Sequence, residues 1–199
     1  MSDNFFERKA NFFDRWAPNY DILFTTVFYQ AIHKRMLEYV ELRSAANVLD
    51  LGCGTGRLLH RLATQFPHLR GTGLDLSKEM LRQARQRNQY PKRLIYIQGN
   101  AESLPFAQGQ FDAVFNTISF LHYPNPTQVL SEVKRVLNQG GRFYLADYST
   151  TRKVKLPFVP GQLKFYPLQQ REYLADQVGL KTLAHHYLLS NVFLTILRA

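Results

Sequence analysis

Asp50-Leu-Gly52-Cys-Gly54-Thr-Gly56 sets three glycines at alternate positions directly behind an acidic residue. Glycines in such a turn let the backbone bend sharply and approach a ligand with no Cβ in the way. Asp75 answers the turn 19 residues past its last glycine. A carboxylate there, at the end of a strand, can accept hydrogen bonds from both hydroxyls of a ribose. Together they are the parts of a nucleoside site. A dinucleotide site uses Gly-x-Gly-x-x-Gly, with a helix N-terminus facing a pyrophosphate. Here the spacing is Gly-x-Gly-x-Gly, with Asp50 before the turn and Arg57 after it. An acid in that place repels a pyrophosphate and attracts an ammonium group. The turn therefore suits a nucleoside with an uncharged linker and an amino-acid tail better than a nicotinamide cofactor. Cys53, inside the turn, reads as a small packing residue.

Five short apolar runs must hold these groups: 47–51, 71–75, 94–98, 111–116 and 142–147. Apolar on both faces, they read as buried parallel strands. Helical spacing fills the gaps. Leu58, Leu59, Leu62, Ala63 and Phe66 recur before Pro67; Ser77 is an N-cap for Met80, Leu81 and Ala84; Asn125-Pro126 opens a helix that Gly140-Gly141 closes. Strand and helix in alternation make an open α/β sheet covered on both faces. Beyond it, 149–167 reads as a long loop with three prolines, and 169–178 as a helix before Gly179. Two strand-like runs then meet across Ser190-Asn191 as a hairpin, which makes the last strand antiparallel.

Length and charge bound the rest. A chain of 199 residues suggests one domain, 1–199, able to bury roughly 70% of its unfolded surface without staples. One cysteine permits no internal disulfide and favours a reducing, cytoplasmic setting; the lack of a Cys/His cluster argues against a zinc module, so no metal is expected. No run of about 20 apolar residues occurs, which leaves at most peripheral contact with a membrane. The net charge of +10 draws polyanions and is concentrated in 78–93, net +5, and 152–164, net +4. Charge runs of this kind are usually solvated faces.

The successive segments Val48-Leu-Asp-Leu-Gly-Cys-Gly-Thr-Gly-Arg-Leu58, Gly73-Leu-Asp-Leu-Ser-Lys-Glu-Met-Leu81, Gly99-Asn-Ala-Glu-Ser-Leu-Pro-Phe106, Phe111-Asp-Ala-Val114 and 130–143 resemble the motifs of the class I S-adenosylmethionine-dependent methyltransferases. The match is closest to the branch holding the ubiquinone/menaquinone C-methyltransferases, whose N-terminal helix 12–21 also resembles. The resemblance implies a Rossmann-like doubly wound sheet of about seven strands and S-adenosylmethionine as cofactor. It further implies that Asp50, Gly52, Gly54 and Gly56 cradle the methionyl part and that Asp75 holds the ribose, with Leu76 against the adenine. Asn100, Ala101 and Glu102 would lie at the adenine edge, Asn116 and Thr117 beside the methionyl tail, and Tyr20 over the cofactor.

A sulfonium-activated methyl needs an acceptor aligned in line with the carbon–sulfur bond, and such alignment can supply several kcal/mol, up to roughly 7–11. Where the acceptor must lose a proton, histidine suits neutral pH. His122, after the fourth strand, is the candidate base, or else a structural residue of its loop; Asp147, ending the fifth, is a second base or an orienting group. His185 and His186 are adjacent on a strand and point to opposite faces. Phe5, Phe6, Phe12, Phe13, Trp16, Tyr20, Phe24, Phe28 and Tyr29 make the start unusually aromatic, either packed on the domain or closing as a lid, 1–43, over an apolar pocket, with 149–167 as the substrate-side loop. The expected activity is methyl transfer to a small apolar or aromatic acceptor. An RNA methyltransferase is the alternative that charge suggests, disfavoured because Asn116-Thr-Ile-Ser119 stands where base-amino methylation has its Pro-Pro-aromatic signature. A nonenzymatic S-adenosylmethionine-binding regulator is the third, disfavoured because the turn is intact. Sequence leaves the oligomeric state open.

Overall fold

A computed structural model describes residues 3–16, 23–150 and 163–199. Its sheet contains β1 (Asn47–Leu51), β2 (Arg70–Asp75), β3 (Leu94–Gln98), β4 (Phe111–Thr117), β5 (Leu137–Tyr148), β6 (Lys181–Leu189) and β7 (Val192–Arg198), in the order β3-β2-β1-β4-β5-β7-β6. β1 to β5 run parallel, and β7 is antiparallel to both of its neighbours. Ser190 and Asn191 take φ of 50° and 60°, the two left-handed residues that a tight hairpin turn requires. The chain winds outward from β1 through β2 to β3, then returns to lay β4 on the other side of β1. That reversal opens a crevice at the carboxyl ends of β1 and β4, the place where open α/β sheets bind ligands.

Helices cover both faces. On one lie α2 (Leu23–Leu37), α3 (Arg57–Gln65) and α4 (Lys78–Gln86), which bury Ile32, Met36, Leu58, Leu59, Leu62, Leu81 and Ala84. On the other, α5 (Pro126–Val136) and α6 (Leu168–Gln177) bury Val129, Leu130, Val133, Val136 and Ala175 against Leu49, Leu51, Val114 and Leu145. Each of the leucines, valines, isoleucines and methionines among them stabilises the fold by about 1.5–3 kcal/mol when fully buried. The expected caps form: Ser77 Oγ accepts from Met80 N–H, and Asn125 Oδ1 from Gln128 N–H. One boundary differs. Helix α5 ends at Val136 and β5 begins at once, because Leu137 pairs with Phe111 across a bulge; Gly140, at φ 78°, bends the strand rather than closing the helix.

The aromatic N-terminus divides. α2 packs on the domain, with Phe28 stacked on Tyr148, and just past its end Tyr39 stacks on His186. α1 (Asp3–Trp16) instead lies by the crevice and is tied to α4, where Asp14 Oδ1 accepts from Ser77 Oγ and Glu79 N–H. His185 and His186 do point apart: His185 contacts Glu172 of α6, while His186 meets Tyr39. Arg171, 1% exposed, ties the far side together. Its guanidinium donates to Tyr166 O, Asp147 O, Tyr148 O, Phe193 O and Thr195 Oγ1, linking the ends of β5 and β7 to the approach to α6.

Candidate active site

The glycine turn folds back on β2, with Gly52 and Cys53 N–H donating to Leu74 O. Gly52, Gly54 and Gly56 take φ of 68°, 51° and 76°, where only glycine is unstrained. A Cβ at Gly52 would strike Ser119 within 2.7 Å, whereas one at Gly54 would meet nothing within 4 Å. Gly54 therefore borders open space, and it lines the cleft with Gly52, Asp75, Leu76, Ala101 and Thr117. Asp75 sits between two backbone donors: Gly54 N–H reaches Oδ2 at 2.8 Å and Ser77 N–H reaches Oδ1 at 2.9 Å. Burial pushes its carboxyl up, and those two bonds oppose the rise. Each oxygen keeps a lone pair for a ligand hydroxyl.

Past β4 the wall is polar and strained. Thr117 Oγ1 is buried without a hydrogen-bond partner, and Ile118 takes φ 49°, a costly conformation for a β-branched residue. Asn116 Nδ2 donates to Leu51 O, Ser119 Oγ and Tyr123 Oη, which ties the ends of β1 and β4 to the loop beyond. Ser119 and Tyr123 line the cleft; Asn116 stands behind them.

α1 supplies a further wall with Phe6, Lys9 and Phe13, and α2 adds Tyr29. Lys9 is 3% exposed, and its ammonium donates to His122 O at 2.7 Å and stands 3.4 Å from His122 Nδ1. Burial lowers Lys9 to about 8; burial first and the Lys9 charge second lower His122 to about 3. His122 does line the cleft, on a single 3₁₀ turn, Phe120–His122, with Phe13 edge-on at 5.3 Å. A ring held neutral so far down is a weak base, which argues against the general-base role that the sequence suggested. Asp147, 3% exposed and raised to about 6 by burial, is not part of the cleft wall. Its Oδ2 accepts from Leu121 N–H and its Oδ1 from Tyr148 N–H, so it orients the turn that carries His122.

Other residues singled out by sequence stand behind the cleft. Asp50 lies on the face of β1 opposite Leu49 and Leu51, its carboxyl pushed well up by burial and then by Asp75. Gly56 accommodates the Tyr96 ring, which a Cβ would meet at 2.6 Å. Asn100 Oδ1 accepts from Glu102 N–H, and Glu102 Oε1 accepts from Asn125 N–H, bracing the β3 loop against α5. Tyr20 and most of 149–167 lie outside the described residues. Leu74, Gly99 and Pro124 complete the wall without having been singled out, and Met80, read from sequence as an inward-facing helix position, lines it too; their apolar character gave no signal distinct from core.

Known proteins carry the same pattern. The methyltransferase domain family matches residues 49–145. The demethylmenaquinone methyltransferase of Thermotoga maritima is 33% identical over 165 residues, 75% of this chain and 71% of that one. The chain belongs to the class I S-adenosylmethionine-dependent methyltransferases. Within them this methyltransferase resembles the quinone C-methyltransferase branch. It is also 36% identical over 143 residues to the malonyl-[acyl-carrier protein] O-methyltransferase of Geobacter sulfurreducens, covering 68% of this chain and about half, 51%, of that relative. In fold it matches a chain from the complex between the Haloferax volcanii Trm112 methyltransferase activator and a methyltransferase, with TM-score 0.86 and 22% identity over 94% of this chain and 97% of that one.

The cleft fits S-adenosylmethionine. Asp75 would take the ribose hydroxyls, the open Gly54 cradle and the unpartnered Thr117 Oγ1 would face the methionyl part, and Leu76, Met80 and Ala101 would hold the adenine. When bound, the cofactor supplies a methyl group activated on a sulfonium, with a neutral thioether as leaving group. A cation arriving near Asp50 and Asp75 favours their ionised forms. Gly54→Ala separates cradle from fold. Its strain at φ 51° costs about 1–2 kcal/mol, while the added methyl fills only ligand space. Affinity for S-adenosylhomocysteine should fall at least about tenfold in calorimetry while the protein stays folded; undiminished affinity would show that the cradle is not used.

Proposed function

We propose that this methyltransferase moves a methyl group to a small aromatic acceptor of the quinone or phenol type, with residues 1–43 acting as a lid and 149–167 as a substrate-side loop of one domain. The observation that carries this is the wall of Phe6, Phe13 and Tyr29 on α1 and α2. Aromatic rings there exclude water, favour a sulfonium over their faces, and hold a flat apolar acceptor in position. The activity named for the Thermotoga relative agrees. The charge that raised RNA is partly taken up by partners within the chain. Arg82 pairs with Glu79, Arg85 donates to Tyr96 O, and Arg93 caps α3 through Ala63, Phe66 and Leu69 carbonyls. A cytoplasmic location fits the lone buried thiol, Cys53, and among the described residues no helix is long and apolar enough to cross a membrane.

The test is transfer of labelled methyl from S-adenosylmethionine to a panel of reduced naphthoquinones, simple phenols, a malonyl thioester and RNA. Label should enter the naphthoquinol or phenol fraction. Transfer confined to the thioester or to RNA would overturn the proposal.

A further inference from the structure

Lys9 and His122 lie 113 residues apart in the chain and meet in the cleft wall. An ammonium has donors only, so the ring nitrogen it faces, Nδ1, must act as acceptor. The ring proton then sits on Nε2. That nitrogen makes no hydrogen bond with any described residue, and the ring lies edge-on against Phe13 in the cleft wall. Nε2–H is therefore the donor that the ring can offer to a ligand oxygen in the cleft. No hydrogen bond joins the imidazole to either nearby carboxylate: Asp147, beneath the turn, accepts from Leu121 and Tyr148 N–H, and Asp75 from Gly54 and Ser77 N–H. The ring stays neutral across the physiological range and donates rather than takes up protons.

Resting on the aromatic-acceptor reading above, we propose that Lys9 and His122 form an oxygen subsite for the methyl acceptor, in which Lys9 fixes the imidazole so that Nε2–H donates to a carbonyl or phenolate oxygen. His122 touches the acceptor; Lys9 is a positioning residue that also sets a positive field favouring an anionic oxygen. The subsite thus gives the ring oxygen of a quinone- or phenol-type acceptor a fixed place in the cleft.

Two measurements test this on the whole protein. Long-range proton–nitrogen NMR of histidine-labelled protein, with the His122 signal assigned by its loss in His122→Gln, should show a neutral Nε2–H tautomer from pH 7 to pH 5, where Lys9, lowered to about 8, is still an ammonium. In Lys9→Met the ring should become a tautomer mixture or titrate closer to 6.5. An Nδ1–H tautomer, or an imidazolium at pH 6, in the native protein would overturn the proposal. Binding of 1-tetralone and tetralin, which differ by one carbonyl oxygen, is measured with S-adenosylhomocysteine at saturation. The ketone should bind at least about tenfold tighter, with that margin lost in His122→Phe and Lys9→Met and kept in part by His122→Gln. Equal binding of both compounds sinks the subsite and leaves the aromatic-acceptor reading standing; binding of neither sinks both.

Discussion

Asp75→Ala is expected to weaken S-adenosylhomocysteine binding by at least about 100-fold. The carboxylate is placed to accept two ribose hydroxyls, and hydrogen bonds to a charged group are each worth about 1.5–3 kcal/mol. Loss of both exceeds the 1.4 kcal/mol that separates each tenfold in affinity. The free protein is affected too, since Gly54 and Ser77 N–H lose the oxygens they now reach at 2.8 and 2.9 Å. Gly54 is the lip of the cradle and Ser77 the N-cap of α4, so the same substitution loosens both walls of the nucleoside site. Asp75→Asn keeps one acceptor oxygen and should lie between the two, roughly tenfold weaker than native. Calorimetry measures the affinities, and a thermal melt separates loss of the ligand contact from loss of the fold. Native-like affinity in Asp75→Ala would remove the carboxylate from the site and with it the assignment of the cleft.

This half of the site was legible because its parts are local. The glycines follow one strand and Asp75 ends the next, so the order of elements alone brings them together, and the pairing of Leu51 with Leu74 completes the approach. Caps at Ser77 and Asn125 and the hairpin at Ser190-Asn191 were readable for the same reason: each is a short-range pattern with one mechanical meaning. Lys9 was not legible. A lysine in an amphipathic helix reads as solvated, and its burial is decided by a turn more than a hundred residues away. Glu102 and Gly56 belong to family motifs, yet one braces α5 and the other admits Tyr96. A motif thus marks where the cleft is built, without saying which members face the ligand. His122 and Asp147 stood at strand ends, as catalytic residues often do, but protonation depends on burial, which a one-dimensional pattern does not contain.

Arg171→Met is expected to destabilise the protein by roughly 3–5 kcal/mol, the cost of breaking a buried charged network from one side. The methionine can fill much of the volume but leaves four backbone carbonyls and Thr195 Oγ1 without their donor. For a domain of this size each kcal/mol lowers the melting temperature by about 2–4 °C, so a fall of roughly 6–20 °C should be seen. The loss should also depend on pH. Arg171 is the cation that opposes burial at Asp147, whose carboxyl stands at about 6 with the arginine in place. Without it the folded-state value rises further, while the unfolded value stays near 3.9. A carboxyl raised in the fold binds more protons there than in the unfolded chain, so stability falls as pH climbs toward the folded value. Native and variant therefore lose stability together between about pH 4 and 6, and above pH 6 only the variant keeps losing it. Denaturant melts at pH 5 and pH 8 should show the larger native–variant gap at pH 8; a gap that narrows would contradict the coupling. Because Asp147 Oδ2 holds Leu121 N–H, the same variant should loosen the turn that carries His122, so acceptor binding should weaken more than binding of S-adenosylhomocysteine.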